Sequence, residues 1–238
     1  MLNFIKSVLI LLMLVTISIT SSLNIQAATM PAAPAGCFDN ASFCSNYEVV
    51  RENGQRYIVV RLFGNIDATN YEGPQDLIDR YVDFARWPEY INGSDYLNII
   101  KSVPFTVFKD PNDGLDVNRH YVHYSTKAPF PIYRVYIKEV ADYKKLVPNP
   151  YEGDAEVALK FYILKERVQI EGEADYLEKP EGIKEKSGEL FVKRNKNSNS
   201  YYVYSITRSV PGIDLLPSVA APYIEGSVVA IFKGIFGM

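Results

Sequence analysis

Histidine, cysteine and tryptophan are scarce in this chain: two, two and one in 238 residues. The shortage of histidine narrows any metal or acid–base chemistry to His120 and His123. Three residues apart on a strand, they point to opposite faces, because strand side chains alternate. They are poorly placed to share a metal: Asp116 is the only carboxylate close by, and no cysteine is near. Either histidine could serve alone as a general base, although a lone strand histidine is more often structural. Serine nucleophile elbows, phosphate-cradling glycine loops and dinucleotide fingerprints are absent from the sequence. Charge of one sign is lacking too. The net charge is −3, with Lys and Arg interleaved among Asp and Glu, so there is no electrostatic footprint for nucleic acid. There is no internal repeat and no low-complexity tract.

Two acidic stretches invite a functional reading. Asp110 to Asp116 is acidic and carries Gly114, but a helix-loop-helix calcium site needs its glycine one position later. Tyr121 also stands where that site needs a bidentate Glu, so a surface turn is the better account. Glu171, Glu173 and Asp175 alternate, which marks one solvated face.

The two cysteines, Cys37 and Cys44, fall close together. An isolated close pair in an oxidising compartment reads as a structural disulfide. A redox motif would space them by two residues, and no histidine completes a metal site. The compartment is suggested by the N-terminus. Lys6 precedes an apolar run from Val8 to Val15 that extends through Ile17 and Ile19, and small residues follow at Ala27-Ala28. That pattern is a secretory signal, and it is short for a membrane span of about 20 residues. The expected organisation is residues 1–27 as signal peptide, 28–46 as a leader that is flexible over 28–36 and carries a Cys37–Cys44 loop, and 47–238 as one domain. The destination is a periplasm or the outside of the cell.

What is plentiful is tyrosine, at 18 copies. Strand signals begin at Tyr47. Tyr47–Arg51 and Tyr57–Phe63 flank Asn53-Gly54, a strong tight-turn dipeptide. The segment is either a hairpin or a leading strand with an irregular start, and Gly64-Asn65 breaks the run. Pro74 suits a helix start, and Leu77, Ile78, Tyr81, Val82, Phe84 and Ala85 then fall at helical spacing. Pro88 should end that helix at Trp87, with a short second helix from Pro88 to Ile91. Further strands are expected at Ser102–Lys109, Asn118–Lys127, Tyr133–Val140, Val157–Gln169, Leu190–Lys193 and Ser200–Arg208. After Val210-Pro211-Gly212 the pattern turns helical. Asp214 can cap this last helix, and Pro222 should kink or divide it. Only Glu225 and Lys233 carry side-chain charge beyond Leu215. Such a helix is usually buried; a membrane-inserted tail is the alternative.

Asp67-Ala68, then Asp83-Phe84 and Trp87-Pro88-Glu89-Tyr90, followed by antiparallel strands and a long last helix, resemble the START-like, or Bet v 1-like, helix-grip superfamily. The resemblance implies an α+β fold: a curved antiparallel sheet wrapped around a long C-terminal helix, with two short helices after the first strand. It implies a cavity for a lipid or other apolar small molecule between sheet and helix. Trp87 and Tyr90 would close one end, and Tyr121, Tyr124, Tyr133, Phe161 and Tyr204 would line it from the strands. Tyr223, Ser227 and Ile231 would face it from the last helix. No cofactor is implied, and transient membrane contact is compatible with the apolar tail. Two further readings stay open: an enzyme on the same fold, cyclase- or hydrolase-like, using His120 or His123, and a non-catalytic interaction module whose cavity is collapsed.

Overall fold

The tight turn at Asn53-Gly54 starts the sheet. Both residues have left-handed φ, 50° and 80°, which a two-residue type I′ hairpin turn requires. The turn pairs Phe43–Glu52 (β1) with Gln55–Asp67 (β2), closing at Glu52 against Gln55. The hairpin option therefore holds. The structure, a computed structural model, describes residues 28–39, 42–169, 176–177, 179–212 and 216–237. The expected signal peptide, the carboxylates Glu171, Glu173 and Asp175, and the Asp214 cap lie outside the described residues.

Gly64-Asn65 does not break β2 as expected. The strand runs through both residues to Asp67, and the ring of Phe43 lies where a side chain at Gly64 would stand. Asp67 then caps a single 3-10 turn by accepting the Thr69 N–H at 2.8 Å. The next helix, Pro74–Tyr81 (α1), buries Leu77, Ile78 and Tyr81. It ends at Tyr81 rather than Trp87. Phe84 and Ala85 sit in a separate 3-10 turn, and Trp87 opens a second short helix, Trp87–Ile91 (α2), in ordinary helical geometry. The proline rule loses here because Pro88 occupies the first turn of α2, where no N–H donor is needed.

The remaining strands are Leu97–Lys109 (β3), Asp116–Lys127 (β4), Arg134–Lys145 (β5), Val157–Ile163 (β6), Val168–Gln169 (β7), Tyr176–Leu177 (β8), Ile183–Arg194 (β9) and Ser200–Pro211 (β10). The expected long strand from Val157 to Gln169 is thus two strands. The chain leaves the sheet after Ile163, and β7 pairs with β8 as a separate ribbon. The large sheet is wholly antiparallel among its eight strands, in the order β1-β2-β10-β9-β6-β5-β4-β3. Pro104 is tolerated because β3 is an edge strand with a register shift beside it.

The last helix, Pro217–Phe236 (α3), is continuous through Pro222. Pro222 falls early in the helix, so it removes a bond near the end rather than dividing the element. The observed cap position is Leu216, and Gly237 ends the helix with a left-handed φ. Gly234 lies against the Tyr90 and Ile91 backbone, which no side chain at that position would allow. α3 touches β1, β2 and β10 toward one edge of the sheet and β4 and β3 at the other. Only a sheet that curves around the helix can do both.

Strand alternation divides the side chains between two faces. Tyr201 and Val203 of β10, Leu190 and Val192 of β9, and Tyr143 and Ile137 of β5 face the helices and form the main core. Phe63, Phe191, Tyr202 and Tyr204 face away and form a second cluster. That outer cluster is covered by the N-terminal segment. Met30 is buried, its N–H donates to Asp154 at 2.7 Å, and Tyr202 donates to the Pro31 carbonyl. The expected flexible leader is thus packed on the sheet at Met30, Ala33 and, beyond it, Phe38. Cys37 and Cys44 form the expected disulfide, with Cα atoms 5.4 Å apart.

Candidate functional site

A cleft opens where α3 leaves the sheet. Its sheet wall is Tyr124 and Thr126 of β4, Val135 and Ile137 of β5, Lys186 of β9, and Thr207 and Ser209 of β10. Its helix wall is Ala220, Tyr223, Ile224, Ser227 and Ile231. These sheet residues share one face because each strand contributes every second position. The cavity volume is about 70 Å³, while the whole cleft counted out to its open mouth spans about 680 Å³. The smaller figure governs what fits now, because the larger includes solvent.

The walls are mostly apolar; besides the Thr207 and Ser209 side chains they carry two hydrogen-bonded polar groups. Ser227 donates its hydroxyl to the Tyr223 carbonyl at 2.8 Å. That commits its hydrogen, so the Thr126 hydroxyl donates to Ser227 across the helix–sheet boundary. At the inner end lies an ion pair. Lys186 Nζ donates to Glu139 Oε1 at 2.6 Å, and the two side chains are 12% and 1% exposed. The Tyr124 hydroxyl is 3.5 Å from both partners, at the outer limit of a hydrogen bond. Burial, the largest single influence, lowers the Lys186 pKa, but Glu139 together with Tyr124 and Tyr81 outweighs it and the net shift is upward. Burial, then Glu139, pushes the Tyr124 hydroxyl above its ordinary range. At neutral pH the inner end thus holds Lys186 as a fixed ammonium against Glu139, with Tyr124 as a neutral phenol beside them. It can anchor one polar group; a protonated amine is not a nucleophile.

Of the residues expected at the cavity, Tyr124, Tyr223, Ser227 and Ile231 do meet in this cleft. The others do not. Trp87 and Phe161 are core residues: Trp87 donates its indole N–H to the Tyr81 carbonyl at 3.0 Å, and Phe161 stacks on Tyr143. Tyr90 lies beneath the guanidinium groups of Arg80 and Arg86. Tyr121 and Tyr204 fall on the outer face, and Tyr133 stands exposed in the β4–β5 turn. Sequence reasoning misses Lys186, Glu139, Thr126, Val135 and Ile137. Lys186 is missed because the expected strand starts only at Leu190, whereas β9 begins at Ile183.

Neither histidine reaches the cleft. His120 is fully buried, its ring parallel to Phe84 at 3.6 Å and flanked by Trp87 and Tyr143. Neither ring nitrogen has a well-formed hydrogen bond among the described residues. Burial pushes its pKa well below the usual imidazole range, the Lys186 charge adds to this, and the Ala141 backbone weakly opposes both. His123 lies on the opposite face beside Tyr136. No cluster of His, Cys, Asp and Glu suited to a metal occurs among the described residues.

The chain has the helix-grip architecture. No protein-family model and no curated protein matches its sequence. Among solved structures it is similar to TTHA0849 from Thermus thermophilus, at 9% identity and a TM-score of 0.45, covering 74% of this chain and 93% of that one. It is also similar to the Zhui aromatase/cyclase from a Streptomyces species, at 11% identity and 0.43, covering 76% and 92%. Norcoclaurine synthase from Thalictrum flavum matches at 12% identity and 0.33, covering 88% and 95%. These likenesses concern the order of strands and helices, and none bears on what this chain binds.

Proposed function

We propose that this chain is an exported binding protein that holds a small, largely apolar molecule without covalent chemistry. One observation carries the reading: an apolar cleft between sheet and α3 ends on a buried ammonium–carboxylate pair with a phenol beside it. Such a site takes a molecule with an apolar body and one polar end, the usual division of labour in a ligand pocket. A lipid is the larger member of that class. Export through residues 1–27 is part of the proposal, and the Cys37–Cys44 disulfide supports an oxidising compartment.

The present cavity is smaller than its occupant. About 70 Å³ compares with roughly 300–1,000 Å³ for ordinary ligand pockets. Loading therefore requires one wall to yield. The yielding wall is the first half of α3, where exposed and half-buried positions predominate from Pro217 to Gly226; from Ser227 onward most positions are buried. The same small volume favours a second reading, in which the cavity is filled by its own side chains and the domain acts as an interaction module.

Titration with an environment-sensitive apolar dye separates the two. Binding through the cleft predicts saturable one-to-one fluorescence enhancement that Ile224→Trp, filling the mouth, weakens at least about tenfold. Enhancement that is unsaturable, or indifferent to Ile224→Trp in a folded variant, would support the filled module instead.

A further inference from the structure

We infer that the mouth of the cleft is a docking surface for an anionic lipid bilayer. The evidence is separate from the cleft's contents and stands whether or not the cleft takes a ligand. The turn between β4 and β5 follows directly on Pro129 of the cleft wall, and its apolar residues face solvent. Phe130 is 78% exposed and Tyr133 64%, with their rings edge-to-face at 5.7 Å. Ile132 between them is also exposed, as is Tyr136 at the start of β5. Tyr133 holds this tip with φ of 63°, an uncommon backbone state for a bulky residue and one that tends to mark functional sites. Across the mouth, Leu216 and Val219 at the start of α3 are exposed beside the lining residue Ala220.

Charge selects the partner. From Lys127 to Lys138 the sequence carries Lys127, Arg134 and Lys138 and no carboxylate. The Lys138 charge is met by Glu181 from outside the segment. Lys127 rests over the Tyr96 ring at 5.3 Å, and Tyr96 packs on Gly226 of α3, so this cation belongs to the same rim. Aromatic and aliphatic tips flanked by Lys and Arg match a membrane interface. Rings there sit at headgroup level, and cations add attraction to acidic lipids. Among the described residues Arg134 is held only by a hydrogen bond to the Ser125 hydroxyl at 3.3 Å, so Lys127 and Arg134 have no opposite charge there that would favour a neutral groove over an anionic surface.

The test uses Phe130→Trp in the purified chain, since the native Trp87 is buried and contributes a constant signal. Vesicles of phosphatidylglycerol with phosphatidylcholine should shift its emission to the blue and saturate, with a much weaker response to pure phosphatidylcholine. Direct binding should weaken about fivefold for each of Lys127→Gln and Arg134→Gln. It should weaken about tenfold or more for Phe130→Ser combined with Tyr133→Ser. All four side chains lie at the rim or in solvent, so unchanged circular dichroism and melting temperature confirm folding. The inference is overturned if vesicles produce no shift or if the variants bind like wild type. It is also overturned if the same residues drive self-association without lipid, which would assign the patch to a second copy of the chain.

Discussion

Replacing Lys186 by Met should remove a large share of this protein's stability. The Lys186–Glu139 charges, 2.6 Å apart, attract by roughly 6 kcal/mol at an effective dielectric of about 20. Desolvation of both groups offsets much of that gain, which is why buried pairs add little net stability. Removing the lysine leaves Glu139, 1% exposed, with the desolvation penalty alone. Losses of about 3–5 kcal/mol are typical of that situation, against a total stability of about 5–15 kcal/mol for a domain. The second half of the cycle is more diagnostic. Lys186→Met combined with Glu139→Leu removes both charges and should recover most of the loss. Urea denaturation of wild type, both single variants and the double variant measures this. A single-variant cost below about 1 kcal/mol, as at exposed pairs, would refute the buried placement. A double variant no more stable than Lys186→Met would refute the claim that the unpaired charge is the cause.

Three other outcomes follow from the same structure. His120 is held below its unfolded pKa, first by burial and then by Lys186. Above about pH 6.5 it is neutral in both states and has no effect; below that, only the unfolded chain takes the proton. Stability should therefore fall by about 1.4 kcal/mol per pH unit below pH 6.5 relative to His120→Phe, and parallel pH profiles would rule this out. Met30→Ala should cost about 2 kcal/mol if the N-terminal segment is docked as described, whereas an unaltered melting curve would mean the segment is free. Cys37→Ser with Cys44→Ser should cost roughly 2–3 kcal/mol through the loop it opens; equal stability of wild type with and without reductant would contradict that.

The architecture is legible because its signals are local. Asn53-Gly54 dictates a hairpin by backbone geometry, and the apolar stretch after Leu215 can only be a buried helix or a membrane one. The site is less legible for a reason seen in β10. Its two faces read Tyr201, Val203, Ser205, Thr207, Ser209 and Tyr202, Tyr204, Ile206, Arg208, Val210. When both faces carry apolar side chains, alternation cannot say which one is inside. The outer face is apolar here because Met30 and the cystine loop cover it, a long-range contact that no local pattern reveals. That is why the sequence puts Tyr204 in the cavity and gives no sign of Thr207 and Ser209. Lys186 and Glu139 are close only through the pairing of β9, β6 and β5, and their isolated positions look like ordinary surface charges. Trp87-Pro88-Glu89-Tyr90 correctly signals the short helix closing the sheet, although Trp87 fills the core instead of lining a void.

Native mass spectrometry of the gently purified chain tests the central proposal most directly. A ligand-holding cleft gives a protein mass with one non-covalent apolar adduct, or uptake of one equivalent of a small amphipathic probe, lost in Ile224→Trp. A folded chain that remains bare in every preparation and accepts no probe would contradict it.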